Sequence, residues 1–333
     1  MEIRKVKKEE YQMLVDFLRE YWKRDHTLIK SKQLMDFQHL DGDTYNFYAA
    51  IEEGEIYAVN GFIKTSSYDE SLIEEDDIWG AIWKSRADVH KGELGLWLKE
   101  AMSENEKRSS MGGIGLSDMA YKINKKTGSN MGYLHQYYVA NRMITDFAIG
   151  KELKVDKKIH PKAIGWRIEQ NIRLLNIQEP CNTYRPRKTK TYFENRYLYH
   201  PVYKYIFWGI YHNEDLVSVW SVRRITVNGN SVFRVIDVLG RIDVLPDLTE
   251  NLQQILKEES CEYIDFLNYG IKSEVFEKIG FTELDLDQDS IVVPTYFEPF
   301  ERRNVKIRLS YRAKYDEYVV FKGDADQDRP NIL

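Results

Sequence analysis

Asp25 and His26, adjacent near the amino terminus, are the residue types that do acid–base chemistry. An imidazole oriented by a carboxylate is a good base near neutral pH. A loop histidine bonded to backbone is the plainer reading of the same pair. Asp88 and His90 are the next candidates, at the end of a stretch that carries Trp79, Trp83, Lys84 and Arg86. Successive side chains on a strand face opposite ways, so one set faces a core and the other a ligand. Packing is the simpler role for Trp83. His90-Lys91-Gly92-Glu93-Leu94-Gly95-Leu96 then leads into a helix. Such a glycine-bearing turn is either a tight turn or a cradle of backbone N–H groups for an anion. Asp324, Asp326 and Asp328 recur at alternate positions, a spacing that suits a cation. They lack the glycine and distant glutamate of a calcium loop, so a solvated acidic tail is expected, and no metal.

The bulk numbers bound what these residues can serve. The chain has 333 residues, enough for two ordinary domains. Apolar residues make up 43% and charged residues 30%, the balance of a soluble globular protein. A net charge of −5 argues against a general nucleic-acid footprint. Cys181 and Cys261 make no metal or disulfide pattern, which fits a reducing, cytoplasmic setting. The charged start Met1-Glu2-Ile3-Arg4-Lys5 is unlike a signal peptide, and no apolar run approaches a membrane span.

The elements that must position the candidates follow from periodicity. Residues 2–6 read as a strand. Residues 9–22 read as a helix with an apolar stripe at Tyr11, Leu14, Val15, Leu18 and Trp22. A second helix covers 32–39, and strands follow at 46–51, 56–64 and 77–89. A helix at 92–102, a strand at 112–116, a helix at 118–126 and a closing strand at 133–140 complete the series. That order predicts a mixed α/β sheet, antiparallel first and parallel afterwards. The lysine-rich stretch 150–161 reads as a solvated connector. Beyond it the programme repeats. Residues 31–40 are echoed by 189–198, the strand pair 45–63 by 203–222, and 126–129 by 278–281, at offsets of 158, 158 and 152. We therefore expect one domain over 1–150, a linker over 151–164 and a second copy over 165–333. From Glu298 onward the chain has no counterpart in the first copy.

This order resembles the GNAT fold of the Gcn5-related N-acetyltransferases, over about residues 1–294. The fold class it implies is α/β, with two tandem GNAT-like domains, each a mixed, partly antiparallel central sheet flanked by helices. In that family a turn of the form Arg/Gln-x-x-Gly-x-Gly/Ala holds the pyrophosphate of acyl-CoA. Residues 90–96 fall on it: Gly95 and Leu96 fit, while His90 and Glu93 depart from the pattern unless Gly92 serves as first glycine. A second signature, Asn-x-x-Ala-x-x-Leu-Tyr-x-Lys-x-Gly-Phe, falls on 117–129, with Ala120, Ile123, Lys126 and Gly128 matching. The tyrosine that protonates the leaving thiolate in many members is Asn124 here, and Phe276 in the second copy. The second copy also offers Gly240-Arg241-Ile242-Asp243-Val244-Leu245-Pro246-Asp247 in place of the turn, with one glycine and the wrong charge. It is expected to be degenerate.

The resemblance implies acetyl-CoA or another acyl-CoA as co-substrate, held by Val89, His90, Lys91, Gly92, Leu94, Gly95, Leu96, Ser117 and Asn124. It puts Asp25, His26 and Asp88 in catalysis, with water, Ser117 or Tyr121 protonating the leaving group. Trp22, Trp83, Lys84 and Arg86 would meet a small-molecule acceptor. The carboxyl-terminal run 323–330 resembles tandem proteins that accompany bacterial surface-polysaccharide genes, which implies an amino sugar, nucleotide-linked, as acceptor. Two other readings stay open. Arg185-Pro186-Arg187-Lys188 speaks for an aminoacyl transferase using charged tRNA. The missing tyrosine speaks for a non-catalytic binding or scaffold module.

Overall fold

The computed structural model describes residues 1–88, 93–173, 175–178 and 184–328. In chain order the first half runs β1 (Glu2–Lys7), α1 (Tyr11–Tyr21), α2 (Thr27–Lys30), α3 (Lys32–His39), β2 (Leu40–Asp41), β3 (Thr44–Glu52), β4 (Glu55–Lys64), β5 (Asp77–Ser85), α4 (Leu94–Asn105), β6 (Ser110–Ile114), α5 (Asp118–Lys126) and β7 (Asn130–Tyr133). The first half ends with β8 (His135–Ala140), and the second runs β9 (Trp166–Gln170), α6 (Lys190–Phe193), β10 (Ile206–His212), β11 (Asp215–Val227), β12 (Asn230–Gly240), α7 (Thr249–Glu258), β13 (Cys261–Tyr269), α8 (Ser273–Ile279), β14 (Thr282–Glu283), β15 (Tyr296–Phe297), β16 (Phe300–Glu301), β17 (Arg308–Ala313) and β18 (Val320–Phe321).

The echoes in the sequence are echoes in the fold. Ser31 Oγ accepts the Leu34 N–H at 3.2 Å to start α3, and Thr189 Oγ1 accepts the Tyr192 N–H at 3.0 Å to start α6. Both are side-chain caps on otherwise unsatisfied helix donors. At the other end, Gly128 and Gly280 follow α5 and α8 with φ of +80° and +112°, the left-handed turn-out that glycine takes without strain.

Two large sheets result, with strand orders β1-β3-β4-β5-β6-β17-β7 and β9-β10-β11-β12-β13-β8-β14. They share one topology, and in each the sixth strand is borrowed from the other half of the chain. The expected closing strand over 133–140 is two strands. β7 stays in the first sheet, whereas β8 pairs antiparallel with β13 and β14 in the second. Its place in the first sheet is taken by β17, antiparallel to β6 and β7. The carboxyl-terminal segment thus has a partner in the first half after all, and the sheets change over at Leu134 rather than near 150.

The acidic tail is not solvated either. Asp324, Asp326 and Asp328 are 1%, 4% and 6% exposed. They pair with Lys188 at 3.0 Å, Arg196 at 3.1 Å and Arg223 at 2.9 Å. The alternate spacing reads three buried cations of the second half, not a metal. The lysines of the stretch after 150, Lys151, Lys154, Lys157 and Lys158, are exposed, and just before it the Glu262 carboxylate, 3% exposed, accepts the N–H groups of Ala148, Ile149 and Gly150. One apolar core runs through both halves, joining Leu34 and Phe47 to Phe193 and Phe207. Among the described residues no helix is long and apolar enough to cross a membrane.

Candidate active site

β5 and β6 are parallel neighbours for only four residues, from Asp77 opposite Ser110 to Gly80 opposite Gly113. There β5 carries a bulge: Gly61 pairs with Ile82 and Phe62 with Gly80, leaving Ala81 as the extra residue. A bulge bends its strand and re-aims the local backbone groups. Past it, β5 pairs with β4 alone, and the edge facing β6 is open to a ligand.

The second sheet repeats this geometry and closes it. Its matching bulge is at Ile236, between Ser221 opposite Asp237 and Val222 opposite Val235. Its last parallel pair is Val235 opposite Phe266. Beyond that point β18 pairs with β13, and the Gly323 N–H donates to Ile236 O at 2.8 Å. The chain's own tail fills the second splay. In the first, two glycines stand where the second has Val235 and Phe266.

The open splay borders a cleft of about 620 Å³ lined from α4, α5 and β17, with Trp22, Asn60, Arg312, Ala313 and Lys314 among its residues. Gly95, Lys99 and Ser103 recur every four residues along α4, and Lys99 and Ser103 line the cleft. Trp83 is on its floor, with Nε1 donating to Gly95 O at 3.1 Å. A side chain at Gly95 would meet that indole at 2.8 Å, so Gly95 is held by packing.

The lining is cationic in a protein of net charge −5. Lys99, Arg108, Arg312 and Lys314 all line the cleft, and among the described residues none forms an ion pair within 4.0 Å. Glu106, the one carboxylate there, is committed to Lys5 at 2.7 Å and Lys64 at 3.6 Å and accepts from Tyr48 Oη at 3.0 Å. Burial, then the nearby Arg312, pushes the Lys99 ammonium below its ordinary value, and burial does the same to Arg108. Lys99 Nζ donates to Asn124 Oδ1 at 2.6 Å, and Asn124 Nδ2 donates to Ser310 Oγ at 2.9 Å. That chain of bonds ties α4, α5 and the borrowed strand β17 together across the cleft.

The residues expected from sequence divide sharply. Trp22, Trp83, Ser117 and Asn124 line the cleft. Ser117 Oγ is occupied as the cap of α5, accepting from the Ala120 N–H at 3.3 Å. Asp25 and His26 make no dyad: Asp25 is exposed beside Lys30 at 3.5 Å, and His26 is 4% exposed with Nδ1 accepting the Leu28 N–H. Adjacent side chains at a helix start diverge, which is why the plainer reading of His26 holds. Arg86 clamps Asp88 at 2.8 Å, pairs with Glu55 at 3.0 Å and holds the Asp88 carboxyl below its usual range. Neither lines the cleft, nor does Lys84. Leu94 is in the core and Leu96 points outward at 44% exposure. Val89, His90, Lys91 and Gly92 lie outside the described residues. Tyr121 is away from the cleft, under the Arg308 guanidinium at 5.1 Å. The basic cluster is spent as well: Arg185 and Arg187 pair with Glu75, and Lys188 is buried between Asp237 and Asp324.

Sequence reasoning missed Lys99, Arg108, Ser310, Arg312 and the Gly80–Gly113 pair. Lys99 had a signal in its four-residue spacing from Gly95. Ser310 and Arg312 had none, because an exchanged strand leaves no local trace.

No family model matches the sequence, and no curated protein is detectably similar to it. Solved structures are similar in fold. A GCN5-related N-acetyltransferase from Anabaena variabilis superposes with a TM-score of 0.56 at 10% identity, covering 94% of this chain and 72% of that one. A conserved protein of unknown function from Enterococcus faecalis gives 0.51 at 10% identity, with 94% and 72% covered. A protein from Pyrococcus horikoshii assigned as an acetyltransferase gives 0.50 at 10% identity, with 95% and 90% covered. The chain carries the GNAT fold twice in tandem.

Proposed function

We propose that this protein is an acyl-CoA-dependent N-acyltransferase working in the first copy, with the second as its structural support. One observation carries the reading: of two equivalent splays, the first is open, floored by glycine and lined by unpaired cations, and the second is filled by the chain's tail. A strand edge freed by a bulge suits the amide-bearing arm of the coenzyme, which can pair with backbone as an added strand does. The cationic lining suits its phosphates. A thioester is already activated, so the site must mainly align an amine with it and polarise the carbonyl. A backbone N–H freed at the Ala81 bulge is the group to polarise it.

The acceptor is an amine small enough to enter the cleft beside Trp22, and we take it to be an amino sugar, nucleotide-linked, for a surface glycan. Trp22 supports this by offering a flat ring, packed 4.3 Å from the His26 ring. Thermal-shift screening with acyl-CoA esters and nucleotide-linked amino sugars tests both parts. Stabilisation by an ester alone would keep the donor and discard the sugar; stabilisation by none would discard the transferase.

A further inference from the structure

We propose, resting on the acyl-CoA reading above, that Lys99 is the proton-transfer residue of this cleft and delivers its proton to the departing thiolate of the coenzyme. Aminolysis of a thioester forms an N–C bond, breaks the C–S bond, leaves a thiolate to be protonated and requires the amine nitrogen to shed a proton. Among the described residues no aspartate, histidine, cysteine or tyrosine lines the cleft. Arg108 and Arg312 stay charged. Glu106 is tied to two lysines, and Lys314 is on the exposed rim. Serine hydroxyls are far weaker acids than an ammonium, so among the described lining residues Lys99 is the titratable group that remains.

Its position is fixed by the structure. Lys99 bonds to Asn124, Asn124 to Ser310, and Ser310 is paired in register with Gly113, itself opposite Gly80. The ammonium is therefore tethered to the point where β5 and β6 part, one residue from the bulge. Its neighbours are Asn124 from α5, Trp83 from β5 at 5.9 Å, and the cation Arg312 from β17. Like charge and burial both make an ammonium a readier acid. As the C–S bond breaks, the sulfur takes a proton from Lys99. The neutral amine then takes the proton released by the new amide nitrogen, so Lys99 ends as it began and the products are amide and thiol.

The test uses the full chain and CoA itself, following thiolate absorbance in the ultraviolet against the protein alone. Cys261, its buried thiol pushed up to about 11, stays protonated over the useful range, and Cys181 is replaced by serine in every protein compared. In the wild type the bound thiol should titrate about one unit below free CoA. Lys99→Met should return it to the free value and Lys99→Arg should keep the shift. With hydroxylamine as acceptor and acetyl-CoA as donor, both variants should lose at least ~10-fold in rate, because arginine keeps the charge but yields no proton. CoA that binds with an unshifted thiol, or a Lys99→Arg variant of full rate, overturns the proposal and leaves the acyl-CoA reading standing. CoA that does not bind overturns both.

Discussion

Single residues mark the difference between the splays. Gly80 and Gly113 occupy the positions of Val235 and Phe266, so the copies differ in side-chain volume at the point of divergence as well as in the tail that fills the second. The charges that fix the tail belong to the same scale. Arg196 is 3% exposed in its side chain and depends on Asp326 at 3.1 Å. Asp326→Ala should cost about 3–5 kcal/mol, because it leaves a buried guanidinium without its counter-ion. Urea unfolding measures it, and a loss under ~1 kcal/mol would mean that the pair is hydrated. His200 sets the acid limit. Burial, then Arg196, pushes its imidazole down to about 3, and Nδ1 accepts the N–H groups of Val202 and Tyr203. The folded value lies below the ordinary one, so the unfolded chain protonates first as pH falls. Stability from this group is full above about 6.5 and is lost between there and about 3, on the order of 5 kcal/mol. His200→Asn, which can still accept those N–H groups, should flatten the fall of stability between pH 6.5 and 4. Parallel curves for the two proteins would contradict this.

Elements explain what could be read in advance. Helices α3 and α5 were legible to the residue, because Ser31 and Ser117 cap them and Gly128 ends the second. The caps also make a prediction. Ser31→Ala should cost about 1 kcal/mol. Thr189→Ala should cost more, since Thr189 Oγ1 also donates to the Asp69 carboxylate across the halves. Equal losses in thermal unfolding would show that this second bond carries nothing. The borrowed strands were not legible. His135–Ala140 and Arg308–Ala313 each have a sound strand pattern, but pattern does not say which sheet a strand joins. The glycine-bearing turn before α4 drew attention through its resemblance to a family motif, whereas the splay rests on a bulge and a strand 186 residues from Asn124, the Ser310 partner. Long-range pairing of that kind has no local signature.

At the scale of the whole molecule, the exchange of β8 and β17 makes each sheet incomplete without the other half. A common core then welds the halves together. Residues 1–150 or 151–333 expressed alone, each without a strand of its own sheet, should lack cooperative unfolding, while the full chain should melt in one transition. Two separate transitions in calorimetry would show that the exchange is not needed for stability. The division of labour follows from the same architecture: one copy holds the open cleft, and the other is closed by the tail that also supplies β17 and Arg312 to that cleft. The most direct test of this account is titration calorimetry of acetyl-CoA into the full chain and into Gly80→Val, which gives the first copy the side chain of the second. A Cβ at Gly80 meets only Gly112 O, at 3.6 Å, so the variant should fold. We predict binding to the wild type and at least a ~10-fold loss in the variant, about 1.4 kcal/mol or more. No binding to the wild type at millimolar acetyl-CoA, or equal affinity in the two proteins, would contradict it.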